Sequence, residues 1–233
     1  MIKNKNIIIT GISKGIGEKL AKNFADENKI YGISRSEYKS PHSNIVHFKC
    51  DLGDEKQINQ TVRNIFKDCK SIDILVNNAA VLRTLPISIM SDKDIKDMVS
   101  VNLLGLIFMT KYVLRYMVRK KYGRIINISS MAPKISAVGD SVYAATKAGL
   151  ESFSKIINKE GHNSNVTVNN IGLSALHTGM LNQIVNDNPD VILDLIPHGE
   201  LATIETIANL IEYFCNDNSS DIGGQTVYLG GIS

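Results

Sequence analysis

NIIITGISKGIGEKLAKNFADENKIYGIS, residues 6–34, decides how the chain folds. The β-branched run from Asn6 to Thr10 stops at Gly11, as a buried strand would. Helical spacing follows through Ile16, Leu20, Phe24 and Ala25, within a stretch from Gly15 to Asn28, and Lys29 to Ser34 reads as a second strand. Strand, glycine turn, helix and strand make a β-α-β unit, which belongs to a parallel sheet. In the turn TGISKGIG, residues 10–17, Gly11 and Gly15 let the backbone approach a pyrophosphate. Gly17 lets helix pack closely on strand, and the helix N-terminus faces the anion. No Gly-Lys-Ser/Thr follows, so the turn is not a Walker loop. The alternative is a set of purely structural glycines, but the strand that comes next favours a dinucleotide.

Residues just past the second strand choose between cofactors. An NAD site places an acid there for the ribose hydroxyls, and an NADP site a cation for the extra phosphate. Here Ser34 and Arg35 occupy the position, with Lys14 in the glycine turn as a second cation and Glu37 as the nearest acid. Asn44 to Cys50 reads as a third strand leading to Asp51 and Leu52, where an adenine edge can be met. A helix from Asp54 to about Cys69 brings the chain back. IDILVNNAA, residues 72–80, is a fourth strand whose closing Asn77 and Asn78 are placed to line the cofactor cleft.

A helical pattern starts at Asp92 and continues through SVNLLGLIFMTKYVLRYMVRKKYG, residues 100–123. Asn102 is a polar residue in its apolar part and needs partners. Two roles suit it: holding Lys147 through backbone and water, or acting as a satisfied core amide. The cations Arg115, Arg119, Lys120 and Lys121 at the helix end complement its dipole. Docking of an acidic carrier protein is the competing reading of that patch.

The segment GRIINISSMAPKISAVGDSVYAATK, residues 123–147, carries the chemistry. A buried strand through Ile125, Ile126 and Ile128 ends at Ser129 and Ser130. After a loop through Gly139 and Asp140 comes a long helix with a late Gly161. Tyr143 and Lys147, four residues apart, share a face of it. Moving a tyrosine from pH ~10 to near neutrality needs about 4 kcal/mol. A cation about 4 Å away at an effective dielectric near 20 supplies on the order of 4 kcal/mol. The expectation is therefore that Lys147 brings the Tyr143 phenol close to neutrality, while Ser130 polarises a carbonyl that Tyr143 protonates. A second Tyr-x-x-x-Lys, Tyr116 to Lys120, has Leu103 where the first has Ser130, and reads as a solvated helix face.

VTVNNIGL, residues 166–173, is a sixth strand, and the stretch to Pro197 reads as a mobile cover over the site. Thr203 to Cys215 is a last helix, and GGQTVYLGG, residues 223–231, a seventh strand. The 233 residues suit one α/β domain. A net charge of +3, without aromatic interleaving on a basic helix, excludes nucleic acid from the reading. Cys50, Cys69 and Cys215 have no metal-like spacing and suit free thiols in a reducing compartment. No metal site is expected. No stretch reads as a signal peptide or bilayer span, so a soluble cytoplasmic protein is expected.

With these residues in place, the chain resembles the short-chain dehydrogenase/reductase family over nearly its whole length. Thr10 to Gly17 is similar to the family's TGxxxGxG, Asp51 to its adenine-contacting aspartate, and Asn77 to Ala80 to its NNAG with the last glycine changed. Asn102, Ser130, Tyr143 and Lys147 match its catalytic tetrad. Within the family the chain looks most like the 3-oxoacyl carrier-protein reductases, through KKYGRIINISS, YAATKAGLESFSK and IPHGELATIETIANLIEYF.

The resemblance implies a single Rossmann-like domain over 1–233, with seven parallel strands doubly wound by helices on both faces. It implies NADP(H) in preference to NAD(H), held by Gly11, Ser13, Lys14, Gly15, Ile16, Gly17, Arg35, Asp51, Leu52, Asn78, Ala79, Tyr143, Lys147, Leu176 and Thr178, with Lys147 on the nicotinamide ribose and Thr178 on the carboxamide. Ser130 and Tyr143 would bind the substrate, a small carbonyl compound either free or on a carrier protein. A homodimer or homotetramer is implied, joined through the helices of Asn102 and Tyr143. Leu173 and Ser174 stand where the family usually has Pro-Gly, and His162, Asn163 and Ser164 where its carrier-protein reductases tend to place an arginine.

Overall fold

The computed structural model describes residues 2–40, 42–174 and 196–232. Its first half runs β1 (Asn6–Thr10), α1 (Gly15–Phe24), β2 (Lys29–Ser34), β3 (Ile45–Lys49), α2 (Glu55–Cys69) and β4 (Ile74–Asn77). α3 (Asp92–Val99), a π-helical turn (Ser100–Gly105) and α4 (Leu106–Lys120) then form one continuous helical rod. β5 (Gly123–Ser130), α5 (Ala132–Ile135), α6 (Ser141–Gly161), β6 (Val166–Leu173), α7 (Ile204–Cys215) and β7 (Thr226–Tyr228) complete the described elements.

The strands form one seven-stranded sheet, ordered β3-β2-β1-β4-β5-β6-β7. Every neighbouring pair is parallel. Alternation along β1 shows why helices cover both faces. Ile7 and Ile9 pack with Leu20 and Phe24 of α1 and Ile211 of α7. Ile8 points the other way, to Ile58 of α2, Met109 of α4 and Leu150 of α6. The chain reverses its direction of travel between β1 and β4, and ligands of such sheets bind beyond the carboxyl ends of those strands.

One row of the sheet is polar. Asn77, Asn127, Asn170 and Thr226 are register partners across β4 to β7. Asn77 Nδ2 donates to Asn127 Oδ1 at 2.8 Å, Asn127 Nδ2 to Asn170 Oδ1 at 3.2 Å, and Asn170 Nδ2 to Thr226 Oγ1 at 3.0 Å. Three fully buried amides are tolerable because they bond one another, which leaves only Asn77 Oδ1 of the row without a partner among the described residues. Such a row also opposes any slip of register, since a one-residue shift would strand each amide among isoleucines.

Element boundaries differ from the sequence expectations where side chains intervene. The first helix stops at Phe24 because Asn28 takes over its end, donating to the Phe24 carbonyl at 2.9 Å and the Ile2 carbonyl at 3.0 Å. The long helix after Asp92 is interrupted by the π-helical turn at Asn102. There the backbone of Leu52 presses against Gly105, where a Cβ would meet the Leu52 carbonyl oxygen at 2.3 Å. Contrary to the expectation that no stretch is long enough for a bilayer, Asp92–Lys120 passes that test, with 29 residues and a mean hydropathy of 1.4. It serves as a core helix, burying Met98, Leu106, Met109, Val113 and Met117.

Candidate active site

The glycine turn sits between the ends of β1 and β4. Gly11 and Gly15 have φ of +78° and +67°, where side chains are strained, and open space surrounds the missing Cβ of Gly15. A Cβ on Gly17 would meet the Gly11 carbonyl oxygen at 2.4 Å, so only glycine lets α1 start this close to the turn. Lys14 supplies no side-chain acceptor to α1, which leaves the first N–H groups of the helix for a ligand or water. Thr10 binds the two halves of the crevice together. Its Oγ1 accepts from the N–H groups of Asn78 at 2.9 Å and Ala79 at 3.0 Å, and its carbonyl accepts from Asn78 Nδ2 at 2.9 Å. Ser13 and Ile16 are half-buried beside Gly11 and Gly15 while Lys14 is exposed. Open glycines, a free helix N-terminus and an exposed cation fit a dinucleotide's phosphates.

At the adenosine end the side chains differ from expectation. Ser34 is buried, with its Oγ 2.9 Å from both the Ser36 carbonyl and His47 Nε2, so it faces β3 rather than a ribose. Arg35 is exposed and accessible to a phosphate. Asp51 Oδ1 accepts from the Gly53 N–H at 2.9 Å and the Asp51 N–H donates to Gln57 Oε1 at 3.0 Å, so this carboxylate also shapes its own turn. The Leu52 side chain is buried beneath α2 and α4, which leaves only its backbone for a ligand.

β5 and α6 are pinned together at successive positions, and this brings the reactive groups to one point. Asn127 Nδ2 donates to Ser154 Oγ at 2.8 Å. Lys147 Nζ donates to the Ile128 carbonyl at 2.7 Å, Ser129 Oγ donates to Glu151 Oε1 at 2.5 Å, and the Ser130 hydroxyl bonds Tyr143. The Ala132 N–H donates to Ser130 Oγ at 3.1 Å, fixing its direction. Met131 N–H donates to the Leu173 carbonyl at 2.7 Å, so Leu173, standing where a proline was expected, simply continues β6 to the level of Ser130. Ser174 is buried and its Oγ has no partner among the described residues, a polar atom still to be satisfied beside the site.

Tyr143, Lys147, Ser130 and Asn102 all lie at this corner, but the role expected of Lys147 changes. Burial pushes the Tyr143 phenol up to about 12, with the Ser130 hydrogen bond pulling it down and Asp140 adding a smaller upward push. Lys147 does not bring it toward neutrality. Its Nζ is 5.7 Å from the Tyr143 ring centre and engaged with Ile128, and burial lowers its own pKa to about 8. Desolvation of both groups outweighs their mutual attraction, so the chain alone keeps Tyr143 protonated. Asn102 bonds the backbone of Val81 through both ends of its amide, at 2.8 Å each, as the reading of a satisfied core amide has it.

The second Tyr-x-x-x-Lys lies on a largely exposed helix face, with Lys120 exposed and Tyr116 half-buried. Tyr116 stacks on Phe66 with ring centres 3.8 Å apart, and Lys120 pairs with Asp73. Both lie at the opposite end of β5 from Ser130. Leu176 and Thr178, expected to hold the nicotinamide, and most of the expected cover fall outside the described residues. Glu151 and Tyr228 complete the surroundings of the site and carry no motif; their part depends on contacts between distant strands.

Comparison with known proteins agrees with this geometry. Residues 5–189 match the short chain dehydrogenase family. The 3-oxoacyl-[acyl-carrier-protein] reductase FabG of Escherichia coli K12 is 30% identical over 236 residues, covering 98% of this chain and 97% of that protein. The reductase of the same name from Aquifex aeolicus is 31% identical over 241 residues, covering 99% and 97%. Among solved structures, ElxO with NADP bound superposes with a TM-score of 0.89 at 26% identity, covering 97% of both chains. Ligand-free aldohexose dehydrogenase of Thermoplasma acidophilum gives 0.87 at 25% identity, covering 97% and 92%. With a family match over most of its length and a glycine turn, serine, tyrosine and lysine placed as described, the chain belongs to the short-chain dehydrogenase family of NAD(P)-dependent oxidoreductases.

Proposed function

We propose that this chain reduces a ketone to a secondary alcohol, with 3-oxoacyl thioesters as its substrates and NADP(H) preferred over NAD(H). The observation that carries the reading is the meeting of Ser130, Tyr143 and Lys147 at the end of β5, beside the crevice between β1 and β4. A bound nicotinamide would supply the hydride. Ser130 would donate to the substrate carbonyl oxygen, and Tyr143, whose phenol burial pushes up, would give that oxygen its proton. Lys147 would hold the ribose, while Asn102 keeps the wall after β4 in place. Arg35 and Lys14 would take the 2′-phosphate, in keeping with a relative solved with NADP. The names of the two reductase relatives support the thioester substrate.

The same reading takes the protein as a cytoplasmic homodimer or homotetramer. Exposed Leu104 on the helical rod and Ile156 on α6 suit pairing through those helices. A dehydrogenase of a sugar is the second reading, favoured by the likeness to the aldohexose dehydrogenase. Loss of NADPH absorbance with a 3-oxoacyl thioester, free and carrier-bound, or with a simple ketone, set beside gain of that absorbance from NADP+ with aldohexoses, separates the two. Preference for the thioester is expected. Turnover of a sugar alone would overturn it, and tight NADPH binding without turnover of any would indicate a sensor.

A further inference from the structure

Glu151 is not part of any motif of the site, yet it touches three elements that build it. It lies on α6 one turn beyond Lys147, on the same face. Its Oε1 accepts from Ser129 at 2.5 Å, the residue preceding Ser130 on β5. Its Oε2 accepts from Tyr228 OH at 2.8 Å on β7. Tyr228 covers Gly172, where a Cβ would meet the ring at 2.2 Å, so β6 is held in the same arrangement. One carboxylate thus ties the ends of β5 and β7 to the helix that carries Tyr143 and Lys147.

We propose that Glu151 is the positioning residue of this site: it fixes the end of β5 against α6 and β7 and keeps the buried Lys147 ammonium charged. The inference rests on the roles given above to Tyr143 and Lys147. Ser130 can polarise a carbonyl only if β5 ends at the right height on α6, and the bond from Ser129 sets that height. Lys147 is 1% exposed and, among the described residues, has a single hydrogen bond, to a neutral carbonyl. A buried ammonium loses most of its hydration, so a nearby carboxylate decides its charge near neutral pH.

Among the described residues, no other group near Lys147 offers a compensating negative charge. On α6, Tyr143 is a neutral phenol and Asp140 bears on Tyr143 instead. β5 brings only the hydroxyls of Ser129 and Ser130, and neither the π-helical turn nor β6 has a titratable side chain. On α3, Asp94 pairs with Arg83 and Asp97 with Lys93. α4 contributes cations, Lys111 and Arg115, which lie over the Tyr112 ring. From α5, Lys134 sits 5.2 Å from the Tyr228 ring centre. Burial and the neighbouring carboxylate push the Tyr228 phenol up, so it remains a donor to Glu151.

The test is Glu151→Gln in the full-length protein, with the Lys147 titration followed by NMR of its side chain and the pH profile of kcat measured for ketone reduction. Without the carboxylate the ammonium should lose its proton earlier. The Lys147 midpoint and the alkaline limb of kcat should both move down by about half a unit or more. Glu151→Asp, which keeps the charge, should hold the midpoint near that of the parent. If the glutamine variant does not fold, the pair Ser129→Ala with Tyr228→Phe removes both donors and leaves the charge; kcat should then fall several-fold at an unchanged midpoint. An unmoved midpoint in Glu151→Gln, or parental kcat in the double variant, would overturn the proposal. Full activity of Tyr143→Phe would instead overturn the roles assigned to the site, a separate result that leaves the Lys147 midpoint as it is.

Discussion

Asn102 and Val81 form a closed pair: the Val81 N–H donates to Asn102 Oδ1, and Asn102 Nδ2 donates to the Val81 carbonyl, each at 2.8 Å. Asn102 is completely buried in the π-helical turn, and Val81 follows the Asn78 and Ala79 that Thr10 holds. π-helical turns often mark functional sites, and here the turn places an amide against the cofactor crevice. Asn102→Ala leaves one buried donor and one acceptor unpaired, at about 1–3 kcal/mol each. We expect a stability loss of about 2 kcal/mol or more in urea unfolding, together with weaker NADPH binding. A change under about 0.5 kcal/mol would show that the wall stands without this pair.

Replacing Tyr143 with Phe removes the proton donor while leaving the ring in its buried place. kcat for ketone reduction should fall by at least ~10²-fold, with the NADPH dissociation constant within a few-fold of the parent. Tyr116→Phe keeps the stack on Phe66 and should retain nearly all activity. The reverse pattern would mean that the other tyrosine does the chemistry.

Lys147 makes stability depend on pH in a definite direction. Its folded pKa of about 8 lies below the ordinary 10.5, because burial disfavours the charged form. That depression costs about 3 kcal/mol below pH 8, and the cost fades as pH rises toward 10.5. Lys147→Met escapes it but leaves the Ile128 carbonyl unpaired, worth about 1–2 kcal/mol. At pH 7 the variant should be inactive yet more stable than the parent by about 1–2 kcal/mol, and this lead should shrink between pH 8 and 10. Urea unfolding at pH 7, 9 and 10 measures it; a lead that grows with pH would contradict the burial argument.

Arg35 is the exposed cation nearest the end of β2, and a guanidinium bond to a phosphate is worth roughly 1.5–3 kcal/mol. Arg35→Ala should weaken NADPH about 10- to 100-fold in kcat/KM and leave NADH nearly unchanged, at one fixed ionic strength. Equal loss for both cofactors would show that Arg35 does not read the phosphate. Ser34→Asp does not follow the simple rule for converting such sites to NADH. Its hydroxyl is buried against the Ser36 carbonyl and His47, so a carboxylate there would face an acceptor and an imidazole. We expect a lower Tm for Ser34→Asp than for the parent, measured by thermal unfolding; an unchanged Tm would show that the pocket around Ser34 accepts the carboxylate.

Much of the fold is local in origin and therefore readable along the chain. Isoleucines at successive positions of β1 reach both faces of a sheet, glycines mark the turn, and Tyr143 and Lys147 lie one helical turn apart because of the pitch of α6 alone. Chemistry-bearing residues could likewise be named in advance, since a serine at a strand end and a tyrosine–lysine pair on the next helix are neighbours in sequence. The direction in which Ser34 points was not legible, because it depends on His47 of the adjacent strand.

The parallel α/β architecture, the glycine cradle and the identity of the groups that meet at the end of β5 follow from the order of residues, because periodicity and spacing within single elements are set by backbone geometry. The electrostatic surroundings of those groups, and what holds them in place, come from packing. Desolvation of Tyr143 and Lys147, the asparagine row through Asn77, Asn127 and Asn170, the Asn102–Val81 pair and the Glu151 junction all arise from residues far apart in the chain. Their energies depend on burial and hydrogen-bond partners, which exist only once the strands have paired and the helices have closed over them.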